Sequence, residues 1–546
     1  MLPEAARRPQ PHAGKTVKAR LTLTLGTAAH ARRCDRFATA APPTHDRRLP
    51  RLSGMDATDA ARAKDRSMSP NPHTLVIIGA GFSGSLLARE LLARPAALPV
   101  RLLLIDRLGF ARGAAYARRE HPYLLNVPAA RMSATASDPL GFLRFAQQRL
   151  PRARGSDFLP RELYGEYLEQ LLDEAERSAS PGIVFERRRG EVLALERLHR
   201  PQRWRLHFSD AARLEADCVV VASGNSPPAA LPGAAALVGS PAYVADPWSA
   251  PVNWRGAESV LLVGTGLTMV DQVLAASAAG APRVRIHALS RRGLLPEPQR
   301  PLAESGSAPD AQRLLHAASA SFLELWRAVR AQARTLQREG GEWHDVVAHV
   351  RALAPQLWQR LGTHERRRFL RHARPYWDVH RHRLPESSWS CVQELRRSGQ
   401  LKLHAGRLLN LERTGTRVRA IWQVRGQSTC QQQLFERVIN CTGADFNVRR
   451  SADRLLRSLL AQGIAAADPL ECGLVTAEHG AVVAADGRAA DDLFYLGPLL
   501  RAAHWETTAV AELRTHAQQL AQHLRARLRC WSPAPRSLAS APRLRA

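Results

Sequence analysis

At 546 residues, 45% hydrophobic and 6% aromatic, the chain is long enough for two or three domains with cores of their own. No stretch reaches the apolar length of a membrane helix, and the seven scattered cysteines form no CxxC pair. This argues against a membrane protein, a disulfide framework, a zinc site or a dithiol redox centre, and for a reducing, cytoplasmic compartment.

The formal charge of +29 invites a nucleic-acid reading, but Lys15, Lys18, Lys64 and Lys402 are the only lysines. The arginines are dispersed rather than gathered in an aromatic-studded stripe, so a solvated surface and no nucleic-acid partner are expected. Residues 1–72 lack periodicity and carry 14 basic and 6 acidic residues. They read as a disordered leader or an over-extended gene start, with Met68 just before the first strand.

The first structured element is the apolar run 75–78, short and β-branched enough for a buried strand. Gly79, Gly81 and Gly84 follow at the spacing of a dinucleotide fingerprint. The first permits the tight turn, the second lets a pyrophosphate approach the backbone, and the third lets helix and strand pack closely. Residues 85–92 read as the helix whose N-terminus faces the phosphates. The strand 100–105 then ends in Asp106, placed for a ribose, with Arg107 beside it. A Gly-punctuated loop follows, then helices over 139–150 and 161–177. Strands return over 190–198, 204–208 and 218–222, the last ending in Ser223-Gly224, a turn that brings backbone close to a ligand.

A second landmark, SVLLVGTGLTMVD (259–271), repeats strand, Gly264-Thr265-Gly266 and helix. Met269 holds the third glycine position, so looser helix–strand packing is expected. The next strand, 284–289, ends in Ser290-Arg291-Arg292 rather than an acid, which suits the 2′-phosphate of NADPH better than the hydroxyl of NADH. Residues 305–375 read as amphipathic helices, an insert fit to cap a site. It ends in a segment carrying His380 and His382, near His372 and Asp378, without the spacing of a metal site; no metal is expected.

The chain then echoes itself. GRLLNLER (406–413) parallels GEVLALER (190–197), and the strand 438–441 with Thr442-Gly443 parallels 219–222 with Ser223-Gly224. This is the layout of two dinucleotide-binding units, one nested in the other. A short strand, 492–495, precedes Leu496-Gly497-Pro498. Thr507 or Thr508 would cap a last helix running to about 527, whose N-terminal dipole would face an electron-rich group.

Seven motifs, GAGFSG, AYARREHPYLLNVPAARMSA, DFLPRELYGEYL, VGTGLTMVD, RFLRHARPYWDVHRHRLPE, VINCTGAD and LGPLLRAAHWETTAVAELR, together resemble the bacterial FAD/NAD(P)-binding oxidoreductases. That family includes an FAD-dependent urate hydroxylase and is similar to N-hydroxylating flavin monooxygenases. The resemblance spans residues 74–525. It implies that Gly79, Gly81, Ser83, Gly84 and Asp106 hold the ADP half of FAD. Tyr116, Asn126, Val127, Pro128, Met132 and Ser133 would lie along the flavin. Gly264, Gly266, Thr268, Arg291 and Arg292 would receive NADPH, while Gly497, Pro498, Glu506 and Thr507 would close over the flavin ring.

The expected fold is α/β: two nested Rossmann-like, three-layer ββα domains with a helical insert. The FAD-binding domain would comprise 73–235 and 436–528, the NADP-binding domain 236–304 and 386–435, and the insert 305–385, with a disordered tail at 529–546. The implied function is an FAD-dependent, NAD(P)H-using monooxygenase that hydroxylates a small polar molecule with O2 through a flavin C4a-hydroperoxide. A flavin reductase or dehydrogenase without oxygen insertion, and a non-catalytic FAD-binding protein, are the alternatives. Because the cofactor supplies the chemistry, no catalytic residue is demanded; Asn126, Trp505 and His380 are the candidates.

Overall fold

A computed structural model describes residues 72–530 apart from 120, 122, 200–201, 250, 255, 281–283 and 301–309. The described residues fall within one compact unit, Met68–Ala546. The expected leader, most of the tail and the start of the insert lie outside the described residues.

Strand β1 (His73–Ile78) is buried along its whole length and turns directly into helix α1 (Phe82–Leu92). Each large aliphatic of such a run contributes about 1.5–3 kcal/mol relative to exposure. The helix starts three residues before the expected 85, because Gly81 is its first non-helical residue and Phe82 and Ser83 are already buried in its first turn. Strand β2 (Val100–Asp106) lies parallel to β1. Helices α2 (Gly141–Arg149) and α3 (Arg161–Arg177) follow. Strand β3 (Ile183–Arg189) pairs parallel with β2. It was not expected, because its arginine-rich sequence hides an edge strand that is only half-buried. Strands β4 (Val192–His199), β5 (Gln202–Phe208) and β6 (Arg213–Ala216) form an antiparallel meander. Strand β7 (Cys218–Val221) then returns beside β1.

The second unit repeats the plan. After β8 (Tyr243–Val244) come β9 (Ser259–Val263), α4 (Leu267–Ala278) and β10 (Arg285–Ser290). The insert is α5 (Ala311–Ala320), α6 (Phe322–Arg338), α7 (Trp343–Arg360), α8 (Thr363–His372) and α9 (Arg374–Arg381). Helix α10 (Glu386–Arg397) packs on α4, and β11 (Leu401–Thr414), β12 (Arg417–Val424), β13 (Cys430–Phe435) and β14 (Arg437–Asn440) complete the sheet. The chain closes the first unit with α11 (Arg454–Ala461), β15 (Ala481–Val483), β16 (Ala489–Tyr495) and α12 (Val510–Cys530), which packs along α1.

The first sheet runs β15-β16-β7-β1-β2-β3 and the second β13-β12-β11-β10-β9-β14-β8. The nested α/β architecture with its helical insert is therefore present. One boundary is corrected: β14, placed by expectation in the C-terminal FAD segment 436–528, pairs with β9 and β8 in the second sheet. The reason is the internal echo itself. Strand β14 stands to β9 as β7 stands to β1, so the crossing back comes after Gly443. Among the described residues no helix is long and apolar enough to cross a membrane.

Candidate functional site: a cleft between two glycine turns and a helical cap

The carboxyl ends of the parallel strands of both mixed sheets open into one cleft of about 2430 Å³. Its floor is the first glycine turn. Gly79 has φ +104°, and a Cβ there would lie 2.3 Å from the Ala222 carbonyl oxygen at the end of β7. A Cβ on Gly84 would lie 1.8 Å from the Gly79 carbonyl oxygen, so α1 rests backbone-to-backbone on the turn. Gly81 faces the Cα of Gly113 from the following loop, and no side chain caps the first N–H groups of α1. The Asp106 carboxylate accepts from the Ala80 and Leu108 N–H groups, both at 2.8 Å, which ties the end of β2 to the turn. These features fit a dinucleotide: a side-chain-free cradle, open helix N–H donors and a carboxylate at its rim.

The second turn repeats the crossing. Gly264 has φ +112°, and its Cβ would lie 2.3 Å from the Cys441 carbonyl oxygen. Met269 is fully buried in the core of this unit, so α4 meets its sheet through a side chain where α1 does so through backbone.

Of the residues expected on sequence grounds, the cleft surface brings together Gly79, Gly81, Ser83, Asp106, Arg107, Tyr116, Asn126, Val127, Pro128, Met132, Gly224, Thr268, Gly443, Pro498 and His380. The others do not line it. Gly84 lies under the turn. Ser133 is buried behind the wall, where its carbonyl accepts from the cleft-lining Arg514 at 2.8 Å. Gly264, Gly266, Arg291 and Arg292 sit at the ends of β9 and β10, and Arg292 donates to the Tyr376 hydroxyl at 3.2 Å. Burial pushes the Tyr116 phenol up to about 12, so it faces the cleft as a neutral wall.

Trp505 and Glu506 serve a different purpose: they fasten the cap, while Thr507 is buried beside them with its hydroxyl unpartnered among the described residues. Trp505 stacks near Trp358 of α7 at 4.7 Å, with the Arg501 guanidinium 3.8 Å from its ring centre. Glu506 accepts from the Trp377 indole at 2.9 Å and from Arg381 at 2.8 Å, both on α9. To reach them the chain folds back on itself at 504–508. Helix α12 consequently starts at Val510, and neither Thr507 nor Thr508 caps it. Its N-terminal turn still lines the cleft through Val510, Ala511 and Leu513.

Burial alone would raise the Glu506 carboxyl, but Arg381 and the indole hold it below its usual range. This contact therefore stabilises fully above the ordinary glutamate value of 4.5 and is lost as pH falls through the lower folded value. Glu506→Gln is expected to cost about 3 kcal/mol at neutral pH, since it strands a buried guanidinium. It should also flatten the acid limb of an unfolding titration followed by tryptophan fluorescence.

Several cleft residues had no assigned role. Arg161 of α3 pairs with Asp271 of α4 at 2.8 Å, joining the two units across the cleft wall. Burial raises the Asp271 carboxyl in spite of that partner. The side-chain amide of Gln299 donates to the Asn126 carbonyl at 2.9 Å. From the cap come His344, Arg351, His382 and Arg383. Arg161, Asp271 and Arg514 lie inside motifs quoted above, which was the available signal. His344 and Arg351 lie on an amphipathic helix with no local mark.

Residues 76–226 match the family described as FAD-NAD(P)-binding, so this segment is an FAD/NAD(P)-binding domain. No curated protein sequence matches the chain. Among solved structures the fold is shared with an ornithine N-hydroxylase from Kutzneria sp. 744, at 14% identity, TM-score 0.54 and 84% of this chain against 99% of that one. An L-lysine 6-monooxygenase from Pseudomonas syringae aligns at 14% identity and TM-score 0.56, covering 83% and 99%. A cadaverine monooxygenase from Erwinia amylovora, bound to FAD, aligns at 12% and 0.55, covering 86% and 100%. The resemblance to N-hydroxylating flavin monooxygenases is thus present in the fold.

Proposed function

We propose that this chain is an FAD-dependent, NADPH-consuming monooxygenase of a small polar molecule. The observation that carries the reading is the continuity of one cleft from the first glycine turn, past Thr268 and Gly443 of the second unit, to the helical cap. At about 2430 Å³ it exceeds the roughly 300–1,000 Å³ of an ordinary ligand pocket, leaving space for cofactor ends and a substrate together. The shared fold of the three neighbours, each named for hydroxylating or oxygenating a small amine or amino acid, supports it.

Bound here, FAD would supply acceptance of hydride from NADPH and activation of O2. The chain supplies the rest. The open N-terminus of α1 holds a diphosphate, and Asp106 borders the ribose position. Tyr116, Val127, Met132 and Pro498 give an apolar wall that keeps water from the reacting groups. The first turn of α12 directs the positive end of a helix dipole into the cleft.

Anaerobic addition of NADPH to the purified holoprotein is expected to bleach the long-wavelength flavin band. Air should then restore it, with oxygen consumption matched by hydroxylated product from a panel of amines, purines and aromatics. Absence of bleaching would overturn the redox reading. Bleaching with only hydrogen peroxide produced would return it to a reductase.

Arg291, exposed at the end of β10 and without a carboxylate partner among the described residues, tests the cofactor preference. A charge-assisted hydrogen bond of about 1.5–3 kcal/mol to a 2′-phosphate implies that Arg291→Ala raises the KM for NADPH about 10- to 100-fold. The KM for NADH should stay unchanged; equal effects on both would exclude a role in reading the phosphate.

A further inference from the structure

The cap wall contains a cluster that the cofactors do not account for. Glu297, on the segment between β10 and the insert, presents its two carboxylate oxygens to two imidazoles. His380 Nδ1 lies 3.0 Å from Oε1, and His344 Nε2 lies 3.1 Å from Oε2. Both histidines line the cleft, whereas Glu297 stands behind them. Its backbone is pinned on both sides: its N–H donates to the Val379 carbonyl at 3.1 Å, and its carbonyl accepts from Leu384 at 2.8 Å. The Trp343 ring meets the His380 ring edge-on at 4.9 Å and closes the remaining side.

The two imidazoles are not equivalent. His344 is engaged at both ring nitrogens, since its Nδ1 lies 3.3 Å from Glu342. His380 meets Glu297 through Nδ1 at ion-pair distance but without hydrogen-bond geometry, and its Nε2 has no protein partner among the described residues. A carboxylate at Nδ1 favours the tautomer that carries its proton there, leaving the Nε2 lone pair for the cleft. That is the arrangement by which a carboxylate orients a general base.

We propose that His380, oriented by Glu297, removes a proton from the substrate, which is therefore a molecule whose oxidised heteroatom carries an ionisable hydrogen. This rests on the monooxygenase reading above. In the step, the N–H or O–H bond of the substrate breaks and its proton passes to Nε2 of His380. The electron pair stays on the substrate heteroatom, which becomes nucleophilic toward activated oxygen; no electron changes owner. The imidazolium so formed is balanced by the Glu297 carboxylate. Other titratable and charged groups near His380 are Arg381, His382 and Arg383 from its own segment, Arg300 three residues after Glu297, and Glu342, His344 and Asp345 at the start of α7. Burial pushes the His382 imidazole down to about 4 and lowers that of His344, so neither adds positive charge at neutral pH. Arg383 donates to the His380 carbonyl at 2.9 Å, and Arg300 pairs with Glu342. Burial alone would raise the Glu297 carboxyl, yet the two imidazoles hold it below its usual range, so it is anionic at neutral pH.

The test uses the FAD-loaded full chain with His380→Gln and Glu297→Gln. In His380→Gln, anaerobic flavin reduction by NADPH should stay within about twofold of the parent. Product formation at neutral pH should fall about 100-fold and recover with rising pH, as the substrate loses its proton unaided. Glu297→Gln should leave KM unchanged and lower kcat. Its acidic limb in the pH profile should move down by about one unit, because the imidazolium loses its anionic partner. The same downward shift should appear in the His380 imidazole titration by NMR, a reading that needs no turnover. A loss of flavin reduction equal to the loss of product, or a pH profile and titration unmoved in Glu297→Gln, would overturn the assignment. If the parent fails to reduce flavin, the monooxygenase reading fails while the NMR titration still reports on the pair.

Discussion

Gly84→Ala is expected to yield a protein that emerges colourless and stays so with excess FAD. The Cβ of an alanine there would sit 1.8 Å from the Gly79 carbonyl oxygen and 3.2 Å from the Ile77 Cγ2. Neither can move cheaply, because Gly79 is itself wedged against the Ala222 carbonyl and Ile77 is fully buried in β1. Helix α1 must tilt away from the sheet, an overpacking cost of about 1–3 kcal/mol, and its N–H groups leave the diphosphate position. Gly81→Ala provides the contrast. Its Cβ would lie 3.5 Å from the Gly113 Cα, an ordinary contact, so the apoprotein should unfold at the parent temperature. That methyl occupies the face the diphosphate approaches, and FAD affinity should fall about 10- to 100-fold, the equivalent of one or two hydrogen bonds. Spectra of the purified variants together with their melting curves decide the matter. A yellow, stable Gly84→Ala protein would remove the glycine turn from the cofactor site.

The same close approaches explain why so much of the fold was legible. A backbone crossing at 2.3 Å from a would-be Cβ leaves only glycine acceptable, so Gly79 and Gly264 mark both nucleotide turns in the sequence itself. The buried strands β1 and β9 read as apolar runs for an equally strict reason. What the sequence conceals is set by contacts between distant segments. Strand β3 looks like a charged loop because its arginines are edge residues, one of which finds two partners: Arg187 meets Asp173 at 2.7 Å and Glu176 at 2.6 Å, both on α3. The purpose of Trp505 and Glu506 could not be read either. Their partners, Trp358, Trp377 and Arg381, lie more than a hundred residues earlier, in an insert whose amphipathic pattern fixes helices but not which face meets the first unit. The site divides along the same line. The proposed cofactor contacts come from local turns with a recognisable spacing, while the proposed base and its surroundings are assembled from three segments, at 297, 344 and 380, that share no motif.

Arg161→Met should destabilise the protein by about 3–5 kcal/mol at neutral pH, the cost of stranding a buried charge. The pair it breaks is a buried link between the two units: the side chains of Arg161 and Asp271 are only 21% and 10% exposed. Burial already holds the Asp271 carboxyl above its ordinary value of 3.8, and removing the guanidinium raises it further. A carboxyl raised in the folded state favours folding when protonated, so its contribution is fully present below 3.8 and is lost as pH rises through the folded value. The penalty in Arg161→Met should accordingly shrink as pH is lowered toward 5, the reverse of the Glu506 contact. The double variant Arg161→Met/Asp271→Leu removes both charges and should regain most of the stability, because an apolar pair of similar volume carries no desolvation cost. Stability recovered in this way need not restore the geometry. Arg161 also donates to the Leu124 carbonyl at 3.1 Å and sets its guanidinium 5.3 Å from the Trp248 ring, so it positions the loop carrying Asn126 and Val127 as well as α4. The double variant is therefore expected to melt near the parent temperature yet accept hydride from NADPH more slowly. Denaturant unfolding at two pH values, paired with anaerobic flavin reduction, separates these effects, and a single variant as stable as the parent would show that the junction is held elsewhere.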